Sequence, residues 1–178
     1  LKKSVMALAS VAAISVAGSA YALPATMTNW FLDADGAGGA AEVLVTDYVD
    51  LNGKSYINNT FTGATTFDFN EAGFFNSFAV DSSTLISTLS STFVGTGSGD
   101  TSTASVAFAD GTLNIFSGAT QIASFTLLAG SGNLIANSTL PNGTFSLIFQ
   151  ATSLAAGYFF DQFHNDLSGS VEIGRAHV

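Results

Sequence analysis

The sequence predicts an all-β protein, an antiparallel β-sandwich of about ten strands with jelly-roll-like connectivity, and three observations point that way. Short β-branched and aromatic runs, broken by Gly, Asn, Asp and Ser, recur about every ten residues between Trp30 and Val171. Almost no sustained 3.6-residue apolar spacing occurs over the same span. Sixteen Phe and no Cys mean that core burial, not a disulfide framework, must hold the domain together.

The expected elements follow in order. Residues 1–22 read as a signal-peptide helix: Lys2 and Lys3 open it, Val5 to Val16 is apolar, and Ala20-Tyr21-Ala22 offers small residues to signal peptidase, with cleavage after Ala22. The apolar run is too short for a permanent membrane span. The β-sandwich domain then occupies 23–171. Its expected strands are Asn29 to Leu32, Glu42 to Asp50, Ser55 to Phe61, Thr65 to Asn70, Phe74 to Val80, Thr92 to Thr96, Ser105 to Phe108, Thr112 to Phe116, Gln121 to Ala129, Thr144 to Gln150 and Leu167 to Val171. Asn52-Gly53 is a hairpin signal, because type I′ turns need positive φ at both central positions. Ser117 to Thr120 and Pro141-Asn142-Gly143 are further turns. Ser82 to Ser91 has an alternative as a short helix, with Leu85, Ile86 and Leu89 on one face. Gly95 to Thr103, rich in Gly, Ser and Thr, reads as a mobile loop. Residues 172–178, Glu-Ile-Gly-Arg-Ala-His-Val, read as a translated sequencing adapter and are set aside.

Between Leu23 and Val171 twelve carboxylates face one base, Lys54, a net charge near −11. Such a surface excludes nucleic acid and anionic lipid as partners, since phosphate affinity comes from Lys and Arg. It favours divalent cations or basic partners. Asp33 and Asp35, two apart before a Gly-rich turn, are the candidate calcium ligands. Ala37 and Leu44 break the EF-hand pattern, and the competing reading is a solvated turn in which the Asp side chains accept nearby N–H groups. His164, flanked by Asp161 and Asp166, is a candidate for proton transfer, but no second His or Cys accompanies it and no Gly-x-Ser-x-Gly elbow is present. A polar turn is the favoured reading there. Asn58, Asn137 and Asn142 head glycosylation sequons that mark surface loops. Trp30, Phe74, Phe75, Phe159 and Phe160 are candidates for a sugar-stacking platform; adjacent strand residues point to opposite faces, so one of each Phe pair is expected outside.

Leu113 to Phe116, the run Ile122 to Asn133, Gly143 to Leu147, and Gly157 to Phe160 through Asp166-Leu167-Ser168 together resemble the flocculation-associated PEP-CTERM proteins of floc-forming Gram-negative bacteria. The leader running into Ala22-Leu23-Pro24 resembles theirs too. The resemblance implies an exported, non-enzymatic structural protein of the cell surface or extracellular matrix that promotes flocculation with exopolysaccharide. It also implies processing by an exosortase at a C-terminal Pro-Glu-Pro motif, membrane helix and basic end. Those three features are not in this sequence, and the adapter reading of 172–178 accounts for their absence. No cofactor is expected. Strand edges guarded by few charges are expected to permit self-association. A carbohydrate-binding module for one defined glycan is the alternative, and a glycan hydrolase or lyase using paired carboxylates stands third.

Overall fold

A computed structural model describes residues 29–38, 42–81, 84–135 and 143–169. The expected leader with Ala22, the tail 172–178, the Pro141-Asn142 turn and the sequons at Asn137 and Asn142 lie outside the described residues. Among the described residues there are ten strands and one turn of 3₁₀ helix (Leu167–Gly169), and no helix is long and apolar enough to cross a membrane. The ten strands make the antiparallel β-sandwich that the sequence predicts.

Two sheets divide the strands. The small one runs β10 (Phe159–Phe160), β1 (Trp30–Asp33), β2 (Glu42–Val45). The large one runs β3 (Val49–Phe61), β4 (Thr66–Val80), β6 (Leu89–Asp100), β7 (Ser105–Ser117), β8 (Thr120–Leu134) and β9 (Gly143–Leu154), with short β5 (Thr84–Ile86) pairing β4. Connectivity is simpler than a jelly roll: neighbours along the large sheet's main path are successive long strands, so it is a meander. Among the described residues the path starts in the small sheet, builds the large one and returns.

Several expected breaks are absent, because the strands are fewer and longer than local sequence suggests. Asn52-Gly53 is not a turn. It sits inside β3 at a register shift where Asn52 faces Ser77 and Gly53 faces Phe75, and neither residue has positive φ. A Cβ on Gly53 would lie 2.1 Å from the Phe74 carbonyl oxygen, so glycine is needed for close approach at a bulge. Gly95 to Thr103 is not a loop either: β6 runs through to Asp100 and turns at 101–104. Of Ser82 to Ser91, the described residues from Thr84 onward hold β5 and the start of β6 instead of a helix, and Leu167 to Val171 begins as 3₁₀ turn. The Ser117 to Thr120 hairpin is as expected, with positive φ at Gly118 alone of the two central residues, as in a type II′ turn.

The large sheet buries one face. Phe67, Phe69, Phe93, Val106, Phe108, Leu113, Phe125, Leu147 and Phe149 point inward, and Leu32, Val45 and Phe159 of the small sheet join the same cluster. Phe69 meets Phe108 edge-on at 4.9 Å between ring centres, and Phe108 meets Phe145 at 5.5 Å. Phe93 on β6 reaches Phe149 on β9 at 5.8 Å although two strands intervene. Three strand spacings on a flat sheet would separate them by roughly 14 Å, so the sheet curls around its rings. Glycines make the room: Gly99 faces Phe67 and Gly97 faces Phe69 in register, and a Cβ at either would meet those rings within 2.3 and 2.5 Å.

Carboxylates organise the loops. Asp81 accepts the N–H groups of Thr46, Asp47 and Tyr48, tying the β2–β3 link to the end of β4. Those bonds hold its pKa below the ordinary carboxylate value. Asp100 is lowered by the Ser102 hydroxyl and N–H, and Asp161 by the Asn165 side chain and N–H. Burial raises Asp166, but the N–H groups of Ser168 and Gly157 and the Ser168 hydroxyl outweigh it. Much of the acidity thus caps turns.

Candidate functional site: the outer face of the large sheet

Alternation along each strand sets what the outer face presents. On β4, Asp68, Asn70, Ala72 and Phe74 are exposed while Phe67, Phe69 and Gly73 are buried; on β6, Val94, Thr96 and Ser98 are exposed while Phe93 and Gly95 are buried. Pairing lines these residues into rows across the sheet. Thr60, Asp68, Ser98, Ala107, Ser131 and Ser146 form one row, each opposite the next across six strands. Tyr56, Ala72, Val94, Thr112, Thr126 and Gln150 form another, and Asn58, Asn70, Thr96 and Asp110 lie between them.

At the β3 side this hydroxyl and amide surface carries aromatic rings. Phe74 is 54% exposed and Tyr56 78% exposed. Lys54 pairs directly with Phe74, and Tyr56 is two residues along the same face of β3, so ammonium, phenol and phenyl ring lie within one diagonal neighbourhood. Of the aromatic candidates, Phe74 takes the outer position while Phe75 turns inward; Phe159 is buried, Phe160 half-buried, and Trp30 stacks on Phe159 at 6.2 Å. Tyr56 is missing from that candidate set. The signal that finds it is the alternation Tyr56, Asn58, Thr60 within the expected strand Ser55 to Phe61.

Nearer the sheet centre a recess of about 270 Å³ is lined by Asn70, Thr96, Asp110 and Thr112, with Glu71, Val94, Gly95 and Gly111 completing it. It forms where the register slips between Thr96 and Gly97: Thr96 faces Asp110, Gly97 faces Phe108, and Ala109 is left over, the mark of a bulge. Glu71 itself alternates with Asn70 and belongs to the inner side, opposite Gly95; burial raises its pKa, and the Ser55 hydroxyl pulls it part of the way back.

The other candidates lie on the small sheet. Asp33 is fully buried, and its carboxylate accepts N–H bonds from Asp35 (3.2 Å), Gly36 (3.1 Å) and Gly38 (2.7 Å), while Asp35 accepts one from Ala37 (2.9 Å). Burial raises the Asp33 pKa, but these bonds and the Asp35 side chain bring it below the ordinary value. A cation there would have to displace backbone donors from both Asp33 oxygens, and among the described residues no three acidic, His or Cys side chains are grouped to hold a metal ion. The bonds are those of the turn reading, although Asp33 is buried and not solvated. His164 has φ +61, donates its backbone N–H to the Asp161 carbonyl, contacts Glu42 through Nδ1 at 2.7 Å and stacks on Phe31 at 4.1 Å. Asp161 and Asp166 cap their own turns. His164 is thus part of a clasp joining the last loop to the edge of the small sheet.

No family model matches the chain, and no curated protein or solved structure gives a significant match.

Proposed function

We propose that this chain is an exported structural protein of a Gram-negative cell surface or extracellular matrix, a member of the flocculation-associated PEP-CTERM group, and that it binds exopolysaccharide across its outer face. The supporting observation is that face: rows six strands wide in which hydroxyls and amides are interspersed with Asp68, Ala72, Val94 and Ala107, with Tyr56 and Phe74 exposed beside Lys54. A sugar ring presents apolar C–H groups to an aromatic face and hydroxyls to its neighbours, so a rigid array of this kind recognises extended neutral glycan with many weak bonds. A single base in a strongly acidic domain argues against polyanionic glycan.

Co-sedimentation of the secreted protein with exopolysaccharide from a floc-forming strain tests this. The Tyr56→Ala, Phe74→Ala double variant should lose about tenfold in affinity, equivalent to about 1.4 kcal/mol. Unchanged binding in a folded double variant would refute the assignment. The recess at Asn70, Thr96 and Asp110 favours the second reading, a module for one defined glycan. On a glycan array, one saturable ligand lost with Asp110→Ala supports that module, whereas broad weak adhesion supports the matrix role.

A further inference from the structure

We infer that copies of this chain assemble head to tail, the outer edge of β9 in one molecule pairing antiparallel with the outer edge of β3 in the next. Strand parity makes this possible. The order β3-β4-β6-β7-β8-β9 has six members, and each adjacent pair is antiparallel, so β3 and β9 run in opposite directions. A second copy placed beyond the β9 edge with its strands in the same sense therefore offers β3 to β9 with the polarity the meander already uses. The two patches differ, so the contact is heterologous and repeats from copy to copy.

The edges are lightly guarded: the 3₁₀ turn Leu167–Gly169 touches β9, and on β3 the guard from Asn52 onward is Lys54. β9 has twelve residues with no charge and no proline, and from Asn52 to Phe61 the thirteen-residue β3 carries Lys54 alone. Edge strands that must stay single normally carry such residues. Among the described residues neither edge has a second strand partner. Ile57 and Phe61 share the inner face of β3, registered with Glu71 and Phe67, yet are 38% and 58% exposed. The register that extends the row ending at Ser146 brings the next copy's Thr60 opposite it. Phe61 then falls opposite Phe145 and Ile57 opposite Phe149, so apolar side chains continue the inner face and hydroxyls the outer one.

This deepens the matrix reading by naming the partner, and rests on it for its setting, but it uses edges where glycan binding uses a face. The chain has no cysteine, so Thr60→Cys and Ser146→Cys can be placed in separate secreted copies. Directly opposed strand residues have Cβ atoms about 4.5–5.5 Å apart, near disulfide range. Mixing the two variants under oxidation should give a disulfide dimer, each alone should give none, and a chain carrying both substitutions should give a ladder. Ile148→Lys should shift sedimentation from polymer to monomer, while Ser98→Lys at mid-sheet should not. No cross-link on mixing, self-linking of either single variant, or polymer persisting in Ile148→Lys would overturn the assembly. Glycan co-sedimentation of monomeric Ile148→Lys separates the two ideas, since glycan binding that survives without assembly, or fails despite it, assigns the failure to one of them.

Discussion

The inner and outer faces of the large sheet share one backbone and differ in how their side chains earn their positions. Inside, each ring is fixed by a partner on another strand, as Phe69 is by Gly97 and Phe108. Outside, residues such as Ser98, Ser131 and Ser146 are exposed, with Ser131 opposite Ser146 and Ser98 between Asp68 and Ala107. The contrast teaches that the inner face carries stability and leaves the outer face free to be chosen for what it touches.

Removing an inner ring is the strongest way to break that contrast. Phe149→Ala, at a fully buried site, should cost about 3–5 kcal/mol by denaturant unfolding, through lost transfer energy and the cavity left behind. Filling a glycine gap comes next. Gly97→Val would press its Cβ against the Ala107 carbonyl oxygen at 2.3 Å and against the Phe69 ring, for a loss of about 1–3 kcal/mol or more. Either variant unfolding with the wild type's midpoint would mean that the rings and glycines do not hold the sheet.

The pairing of Phe67 and Phe69 with glycines also marks where sequence reading fails. Alternation in Phe67, Phe69, Phe93 and Leu113 makes strands and an inward face legible from composition and period alone. The stretch Gly95 to Thr103 looks like a loop because glycine lowers strand propensity, and nothing local says that rings two turns of chain earlier will cover it. Asn52-Gly53 misleads for the same reason: a strong local turn preference yields to thirteen residues of pairing with β4. For the candidate site, Phe74 is legible as one of an adjacent pair and Tyr56 as a position of the expected strand Ser55 to Phe61, whereas the pairing of Lys54 with Phe74 needs the uninterrupted β3. The loop carboxylates are legible as Asx-type caps at Asp33 but not at Asp81, whose three donors lie more than thirty residues earlier.

Acid sharpens the comparison between sheet and loops. Asp33, Asp81, Asp100, Asp161 and Asp166 have folded pKa values below their unfolded ones, so their contribution is complete above an unfolded value of about 3.9 and is lost as pH falls through the lowered folded values. Melting temperature should therefore drop steeply below about pH 4, and Asp33→Asn should flatten that drop. Glu71 acts with the opposite sign: its raised folded pKa costs stability as pH rises through that value, so Glu71→Gln should raise the melting temperature at pH 7 and lose its advantage near pH 4. A flat profile from pH 7 to 2 would remove the carboxylates from the account. The smallest effect belongs to the outer rows, where Ser98→Ala should change unfolding free energy by less than about 0.5 kcal/mol. A large loss there would show that the outer face is structural after all.

The return of the chain to the small sheet has a kinetic consequence. Each long strand from β3 to β9 can zip onto the one just synthesised, at a modest entropic cost of loop closure. The bridge of Phe31 to Phe160 and Leu32 to Phe159 is different, because it must wait for β10 to emerge after the whole meander. Closure of the small sheet is a latch across the length of the meander, and loosening that latch should speed opening while leaving the growth of the meander nearly untouched.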